Sequence, residues 1–306
     1  MNILVSGGTG FAGKSLTRLL TDEGHKVFIL TRNPDKPAKQ SVTYVKWLAD
    51  GAKPEEGLPE IHAIVNLAGE SINNGRWTED QKQKIYDSRM EATDEILRII
   101  RSMDQPPSVL VNASAIGCYP ASETKIYTEK SEERGTDFLA KTVIDWERKA
   151  LLAEDEGVRV ACARFGIILG KEAGALPNIV LPYKMMAGGT VGSGKQWLSW
   201  IHHEDVARAV LFAIENEKLE GPFNVTAPNP MRMKEFGETV GKVLNRPHWM
   251  PVPGFALKLA LGDKSALVLE GQKVLPKVLE EHGFTFKYPL LHDALREIYE
   301  KLQFQP

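Results

Sequence analysis

The 306-residue chain holds only two cysteines, Cys118 and Cys162, too few for a disulfide framework and suited to a reducing cytosol. It has no apolar run of about 18 residues, so no membrane-spanning helix is expected. It opens on a strand pattern, not on a charged leader with an apolar stretch, so no signal peptide is expected. Basic charge is not in excess: Lys and Arg total 38 against 40 Asp and Glu, which argues against a nucleic-acid surface. The absence of an internal repeat or low-complexity tract argues against a scaffold. What remains is a chain, 42% hydrophobic, long enough for one large core or for a domain with a lobe. It is expected in the cytoplasm, with a small-molecule substrate and with neither a nucleic-acid nor a membrane partner.

The first thirteen residues carry the strongest signal. The apolar run Ile3-Leu4-Val5 leads into glycines at 7, 10 and 13, and a helical pattern follows from Phe11 to Glu23. This order seats a pyrophosphate on a helix N-terminus. The turn needs one position without a Cβ where the chain reverses, one where backbone approaches phosphate, and one where helix meets strand. A dinucleotide is therefore the expected ligand; an ordinary glycine-rich turn is the alternative. The spacing Gly-x-x-Gly-x-x-Gly resembles that of the extended short-chain dehydrogenase/reductases. The second strand, Lys26 to Leu30, ends in Thr31-Arg32, where an NAD-binding chain usually places an acid for the ribose hydroxyls. An acid would repel a 2′-phosphate, whereas a guanidinium offers it a fork of donors, so Arg32 argues for NADP(H). The alternative is an arginine solvated at a strand end.

Strands and helices alternate through the first half. Strands are expected at Asn2–Val5, Lys26–Leu30, Val42–Trp47, Ala63–Leu67, Ser108–Asn112 and Arg159–Phe165, with helices over 11–23, 78–103 and 138–156. Continuous apolar strands of this kind belong to a parallel sheet covered on both faces. The predicted fold is α/β, a doubly wound parallel Rossmann sheet with a smaller C-terminal α/β substrate lobe. Glycine and proline punctuate shorter segments after Gly170, so residues 1–170 are expected to bind the dinucleotide and 171–306 the substrate, the two interleaving. Helices are expected there over 204–216, 233–244 and 266–282. The glycine-rich run 188–194 reads either as a mobile flap over substrate or as an ordinary surface loop. After the fourth strand come Asn66-Leu67-Ala68-Gly69-Glu70, whose small residues let backbone lie against the adenosine half of a cofactor. Arg89, on the next helix, either reaches a phosphate or stands in solvent.

Several stretches together resemble one subfamily, the atypical extended short-chain dehydrogenase/reductases of the epimerase family. They include Gly7 to Gly13, Asn66 to Glu70, Ser88-Arg-Met-Glu-Ala-Thr93, Asp145-Trp-Glu147, Arg164 to Gly170, Gly192 to Gln196, Trp200 to His203, Asn224 to Pro228 and Leu269 to Val274. The resemblance runs to about residue 275. It implies NADP(H) at the first glycine loop, Arg32, Leu67, Ala68 and Arg89, and it implies no settled substrate. The candidate cofactor contacts are Gly7, Thr9, Gly10, Phe11, Gly13, Thr31, Arg32, Leu67, Ala68, Gly69, Glu70, Arg89 and Lys141.

The wider superfamily uses a Tyr-x-x-x-Lys pair for acid–base work, with a Ser or Thr orienting the substrate oxygen. Here the corresponding stretch reads Asp137-Phe-Leu-Ala-Lys141, so the lysine is kept and the tyrosine position holds an acid. A carboxyl near pKa 4 is a poor donor at neutral pH, and a lysine one turn on lowers it further. The helix N-cap suits Asp137 better. Tyr119 is the replacement candidate for proton donor, or packs in the wall of the site. Ser114 stands one residue from the usual serine position, which holds Ala115. Lys141 is expected to keep a ribose contact, or to pair with Asp137 or Asp145 in solvent. The candidate catalytic groups are thus Lys141, Tyr119, Ser114 and Asp137. No metal site is expected: consecutive His202, His203, Glu204 and Asp205 cannot converge on one ion from one face. The expected function is an NADP(H)-dependent oxidoreductase or epimerase-like enzyme on a small carbonyl or sugar-nucleotide substrate. A cofactor-binding sensor lacking the Tyr–Lys pair is the alternative.

Overall fold

The computed structural model describes residues 1–35 and 41–300. Its first half alternates β1 (Asn2–Ser6), α1 (Phe11–Asp22), β2 (Lys26–Thr31), β3 (Val42–Lys46), β4 (Ala63–Asn66), α2 (Glu79–Ser102), β5 (Val109–Ala115), the short β6 (Ile126–Tyr127), α3 (Phe138–Ala150) and β7 (Arg159–Phe165). There follow β8 (Ile167–Leu169), α4 (Leu176–Lys184), β9 (Trp197–Leu198), β10 (Trp200–His202), α5 (His203–Glu215) and β11 (Gly221–Val225). The chain closes with β12 (Met231–Arg232), α6 (Met233–Leu244), α7 (Gly254–Leu261), α8 (Ala266–Leu269), β13 (Lys273–Val274), α9 (Lys277–Glu281) and α10 (Leu291–Glu300).

Seven strands form one sheet in the order β11-β7-β5-β4-β1-β2-β3, every pair parallel. The apolar runs are buried on both faces because alternate side chains meet different helices. Ile3, Val5, Ile29, Val65 and Val111 pack with Leu16 and Leu20 of α1 and with Val206, Ala209 and Val210 of α5. Leu4, Leu30, Ile64, Leu110 and Cys162 face the other way, onto Ala92, Ile96, Ile99 and Ile100 of α2. The fold is a Rossmann-like α/β sheet, and its strand order reverses between β1 and β4. Ligands bind at such a reversal, beyond the carboxyl ends of the strands.

A second core lies outside the sheet, where Leu176, Val180 and Tyr183 of α4 meet Trp200, Phe236, Val240, Leu291, Leu295 and Ile298. Yet β11 is the edge strand of the main sheet and α5 covers its face, so residues past 170 serve both cores. The helix expected over 266–282 does not form as one piece. Gly271 lies so close to the Trp197 carbonyl that a Cβ there would come within 2.0 Å of its oxygen, and Pro276 cannot continue a helix. The segment breaks into α8, β13 and α9, and β13 pairs with β6. Helices α4, α7 and α10 are additions to the sequence expectation. Among the described residues no helix is long and apolar enough to cross a membrane.

The first turn is among the tightest places in the fold. Gly7 has φ +67°, and a Cβ on it would sit 2.6 Å from the Leu67 carbonyl oxygen. A Cβ on Gly13 would sit 2.2 Å from the Gly7 oxygen. Gly13→Ala is therefore expected to destabilise the protein by at least about 2 kcal/mol, because backbone atoms cannot rotate away from the added methyl. Gly57→Ala is the control, since nothing lies within 4 Å of its added Cβ. Thermal denaturation of both variants checks this; equal melting temperatures would contradict it.

Candidate functional site

Helix α1 starts at the carboxyl edge of the sheet with Gly10 as N-cap. No side chain caps it, and its first turn holds no acid. By contrast Thr78 caps α2, and Asp137 caps α3 through an Ala140 N–H to Oδ1 bond of 3.0 Å. The positive end of α1 is thus left to backbone N–H groups at the strand reversal, a setting that favours an anion. Gly10 N–H donates to Gly7 O at 2.9 Å and fixes the turn, with Thr9 and Gly10 exposed on it. Phe11 points instead to the lobe, where its ring leaves no room for a side chain at Gly170 and stands 6.0 Å from the His203 ring.

Thr31 closes β2 with a small turn: its hydroxyl donates to Asn33 O and accepts from Asn33 N–H. Arg32 beside it is exposed, and its guanidinium makes no hydrogen bond or ion pair among the described residues. The loop after β4 is pinned from both sides. Ser6 Oγ donates to Asn66 Oδ1 at 2.6 Å and accepts from the N–H groups of Leu67 and Ala68. Glu70 N–H donates to Ser88 Oγ at 2.8 Å, and Gly69 abuts the Arg89 side chain. Arg89 does not stand in solvent. Its guanidinium donates to Ile85 O and Glu70 O and lies 5.1 Å from the Trp146 ring, and burial lowers its pKa to about 10. Arg89 therefore holds the shape of the Leu67–Glu70 loop. Ser6 and Ser88 are supports that sequence reasoning passed over, although Ser6 stands next to the first glycine and Ser88 next to Arg89.

The candidate catalytic groups separate. Lys141 is exposed on the first turn of α3 and makes no ion pair among the described residues, so the alternative of a solvent pair with Asp137 or Asp145 is not formed. Asp137 is committed to its cap. Tyr119 is 2% exposed, and its hydroxyl is enclosed: it accepts from Arg164 Nη1 at 2.8 Å and lies 3.0 Å from Asn224 Oδ1 and 3.1 Å from Thr128 O. Burial pushes its pKa up to about 12. Tyr119 is thus a core residue that crosslinks β7 and β11, not a donor facing the cleft. Ser114, at the end of β5, donates to Glu147 Oε1, and Glu147 also takes both Arg164 Nε and Nη2 at 2.7 Å. Burial works against the Arg164 charge, but the paired Glu147 carboxylate outweighs it and raises the guanidinium pKa above its ordinary value. Glu147 and Arg164 escaped notice as a pair because they are 17 residues apart on different elements.

The glycine-rich run 188–194 is tied down. Gly192 N–H donates to Val252 O, Trp249 N–H donates to Gly188 O, and Thr190 Oγ1 lies 3.0 Å from His248 Nε2. His202 and His203 are joined by Glu297 from α10, their ligand-capable atoms lying within 4.8 Å of one another. The hydrogen bonds assign His202 differently. Its Nδ1 accepts from Glu204 N–H as the cap of α5, which puts the proton on Nε2, facing Glu297 at 3.0 Å. An imidazole so engaged has no lone pair to give a metal.

Residues 3–226 match the family described as NAD dependent epimerase/dehydratase. The chain belongs to that family. Residues 252–298 match a domain of unknown function, DUF1731. The epimerase family protein YfhF of Bacillus subtilis is 50% identical over 298 residues, 97% of this chain and 98% of YfhF. Epimerase family protein SH2119 of Staphylococcus haemolyticus is 43% identical, over 96% and 98% of the two chains. The crystal structure of human epimerase family protein SDR39U1 with NADPH superposes with a TM-score of 0.89 at 36% identity, over 98% and 99%. The protein is accordingly an NAD(P)-binding, epimerase-like member of the family.

Burial of His202, helped by the neighbouring His203, lowers its pKa to about 4. A histidine kept neutral in the fold contributes stability that is complete above its unfolded pKa of about 6.5 and is lost as pH falls towards 4. Unfolding free energy should therefore drop by up to about 3 kcal/mol over that window from this group. In His202→Asn, which keeps a capping side chain, the fall should be shallower. Denaturant titrations at pH 7, 5.5 and 4.5 check this, and identical slopes in parent and variant would contradict it.

Proposed function

We propose that the protein is an NADP(H)-dependent oxidoreductase or epimerase-like enzyme acting on a small carbonyl or sugar-nucleotide substrate. The cofactor's linked phosphates would rest on the Gly7–Gly13 turn and the open N-terminus of α1, and its 2′-phosphate would meet Arg32. The observation that carries this reading is the pairing of an acid-free helix start that no side chain caps with an arginine at the end of β2 that has no partner among the described residues. It is supported by the NADPH in the structure of the human relative. When bound, a nicotinamide would supply or accept hydride. Lys141, exposed and without an ion pair among the described residues, would bind the adjoining ribose, while Leu67, Ala68, Gly69 and Glu70 would lie along the adenosine half, held there by Ser6, Ser88 and Arg89. Two free, buried cysteines suit a reducing cytoplasm.

One observation favours the second reading, a sensor that binds NADPH without turnover. The Tyr119 hydroxyl is enclosed by Arg164, Asn224 and Thr128, and Asp137 is a helix cap, so neither is placed to donate a proton.

Titration with NADPH and NADH is expected to show at least about tenfold tighter binding of NADPH, and Arg32→Ala should remove most of that preference while leaving NADH unchanged. Equal affinities in the parent protein would overturn the role of Arg32. Incubation with a panel of carbonyl compounds and nucleotide sugars is expected to consume NADPH or yield an epimer. NADPH binding with silence across the panel would favour the sensor.

A further inference from the structure

Residues 252–298 match a domain of unknown function, and within them the stretch 252–274 is anchored differently at its two ends than in its middle. At the start, Val252 bridges Val191, its N–H donating to Thr190 O at 2.8 Å and its carbonyl accepting from Gly192 N–H at 2.9 Å. Further on, the Gly271 carbonyl accepts from Ser122 N–H at 2.9 Å, and Gln272 Nε2 donates to Ile116 O at 2.8 Å. There β13 pairs with β6, and Val274 is fully buried. Both ends are therefore fixed, one on the lobe and one on the cofactor-binding half.

Between them, residues 254–265 are almost unburied. Helix α7 buries no side chain, and its Phe255 and Leu259 are 76% and 85% exposed. This stretch reaches across to the loop that continues Leu67–Glu70. Polar contacts join it to that loop and to the start of α2. Lys264 Nζ donates to Asn73 O at 2.6 Å and to Gly75 O at 3.2 Å, Arg76 Nη2 donates to Ala260 O at 3.3 Å, and Lys82 pairs with Asp263 at 2.9 Å. On the same loop Trp77 packs edge-on against Phe138, one turn before Lys141.

We infer that residues 254–265 form a clasp over the cofactor cleft, which opens and closes by releasing and regripping residues 73–82. A stretch whose apolar side chains all stay at least partly exposed, with Ser265 its one buried residue, gains little from the hydrophobic effect, and exposed ionic contacts add little more. Its opening free energy therefore lies far below that of the anchored segments on either side. Gly254 begins the unburied stretch, and Gly262, with φ +58°, supplies a backbone bend that other residues adopt poorly. The clasp thus moves as a short unit between fixed ends, and its closure sets how fast a dinucleotide leaves. This last consequence rests on the proposal that NADP(H) occupies the cleft.

The test is the double variant Arg76→Ala/Lys264→Ala in the full chain, both positions lying outside the cofactor contacts. Amide hydrogen exchange without cofactor is expected to quicken about tenfold in 71–77 and 254–265 only, leaving β13 unchanged. Stopped-flow release of NADPH is expected to quicken about three- to tenfold. Unchanged exchange in either stretch, or an unchanged release rate in a variant that still binds NADPH, would overturn the clasp. Should the double variant prove unstable, Lys264→Gln alone is read by the same criteria. The exchange measurement needs no ligand, so a parent protein that fails to bind NADPH refutes the cofactor reading while exchange still decides whether the grip exists.

Discussion

Everything at the cleft depends on one close approach of backbone to backbone. The end of β1, the start of α1 and the loop after β4 meet around Gly7 and Gly13, where a single methyl at either position would fall within 2.6 Å of a carbonyl oxygen. With no side chains in the way, the N-terminus of α1 comes up to the reversal point of the sheet. Because no acid or hydroxyl caps that helix, its positive end is offered outward. The same geometry that makes the turn intolerant of substitution leaves its N–H groups in a setting that favours an anion.

A parallel sheet this buried also needs its polar groups satisfied, and a chain of side-chain contacts does so along the carboxyl edge. Ser6 bonds Asn66, and Asn66 bonds both Asn112 and Thr93, which also accepts from Trp146. Farther across, Ser114, Glu147, Arg164, Tyr119 and Asn224 follow one another, and Glu129 accepts from the Asn224 N–H. The Glu147–Arg164 pair is its centre. Removing one partner would strand a buried charge, which costs far more than the pair contributes. This network fixes the floor of the site and explains why Tyr119, attractive as a proton donor in the sequence, is not free to serve as one.

Local features were legible in the sequence, and long-range ones were not. Continuous apolar strands announced the doubly wound sheet, and the Arg159–Phe165 strand and the Met233–Leu244 helix fall where the pattern puts them. The glycine turn and the exposed Arg32 at the end of β2 were readable because each rests on one short stretch of chain. The cap role of Asp137 was likewise readable from its place before a helix. The Glu147–Arg164 pair, the enclosure of Tyr119 and the burial of Arg89 depend on which elements the fold brings together, and no spacing encodes that. The 266–282 stretch misled for a related reason: its helical periodicity was overridden by strand pairing with β6 and by the contact of Gly271 with Trp197.

The most direct measurement is a crystal structure of the protein grown with NADPH. The account predicts pyrophosphate density against the N–H groups of residues 10–13, with the 2′-phosphate within hydrogen-bond distance of the Arg32 guanidinium. Cofactor density elsewhere, or a 2′-phosphate turned away from Arg32 into solvent, would contradict it.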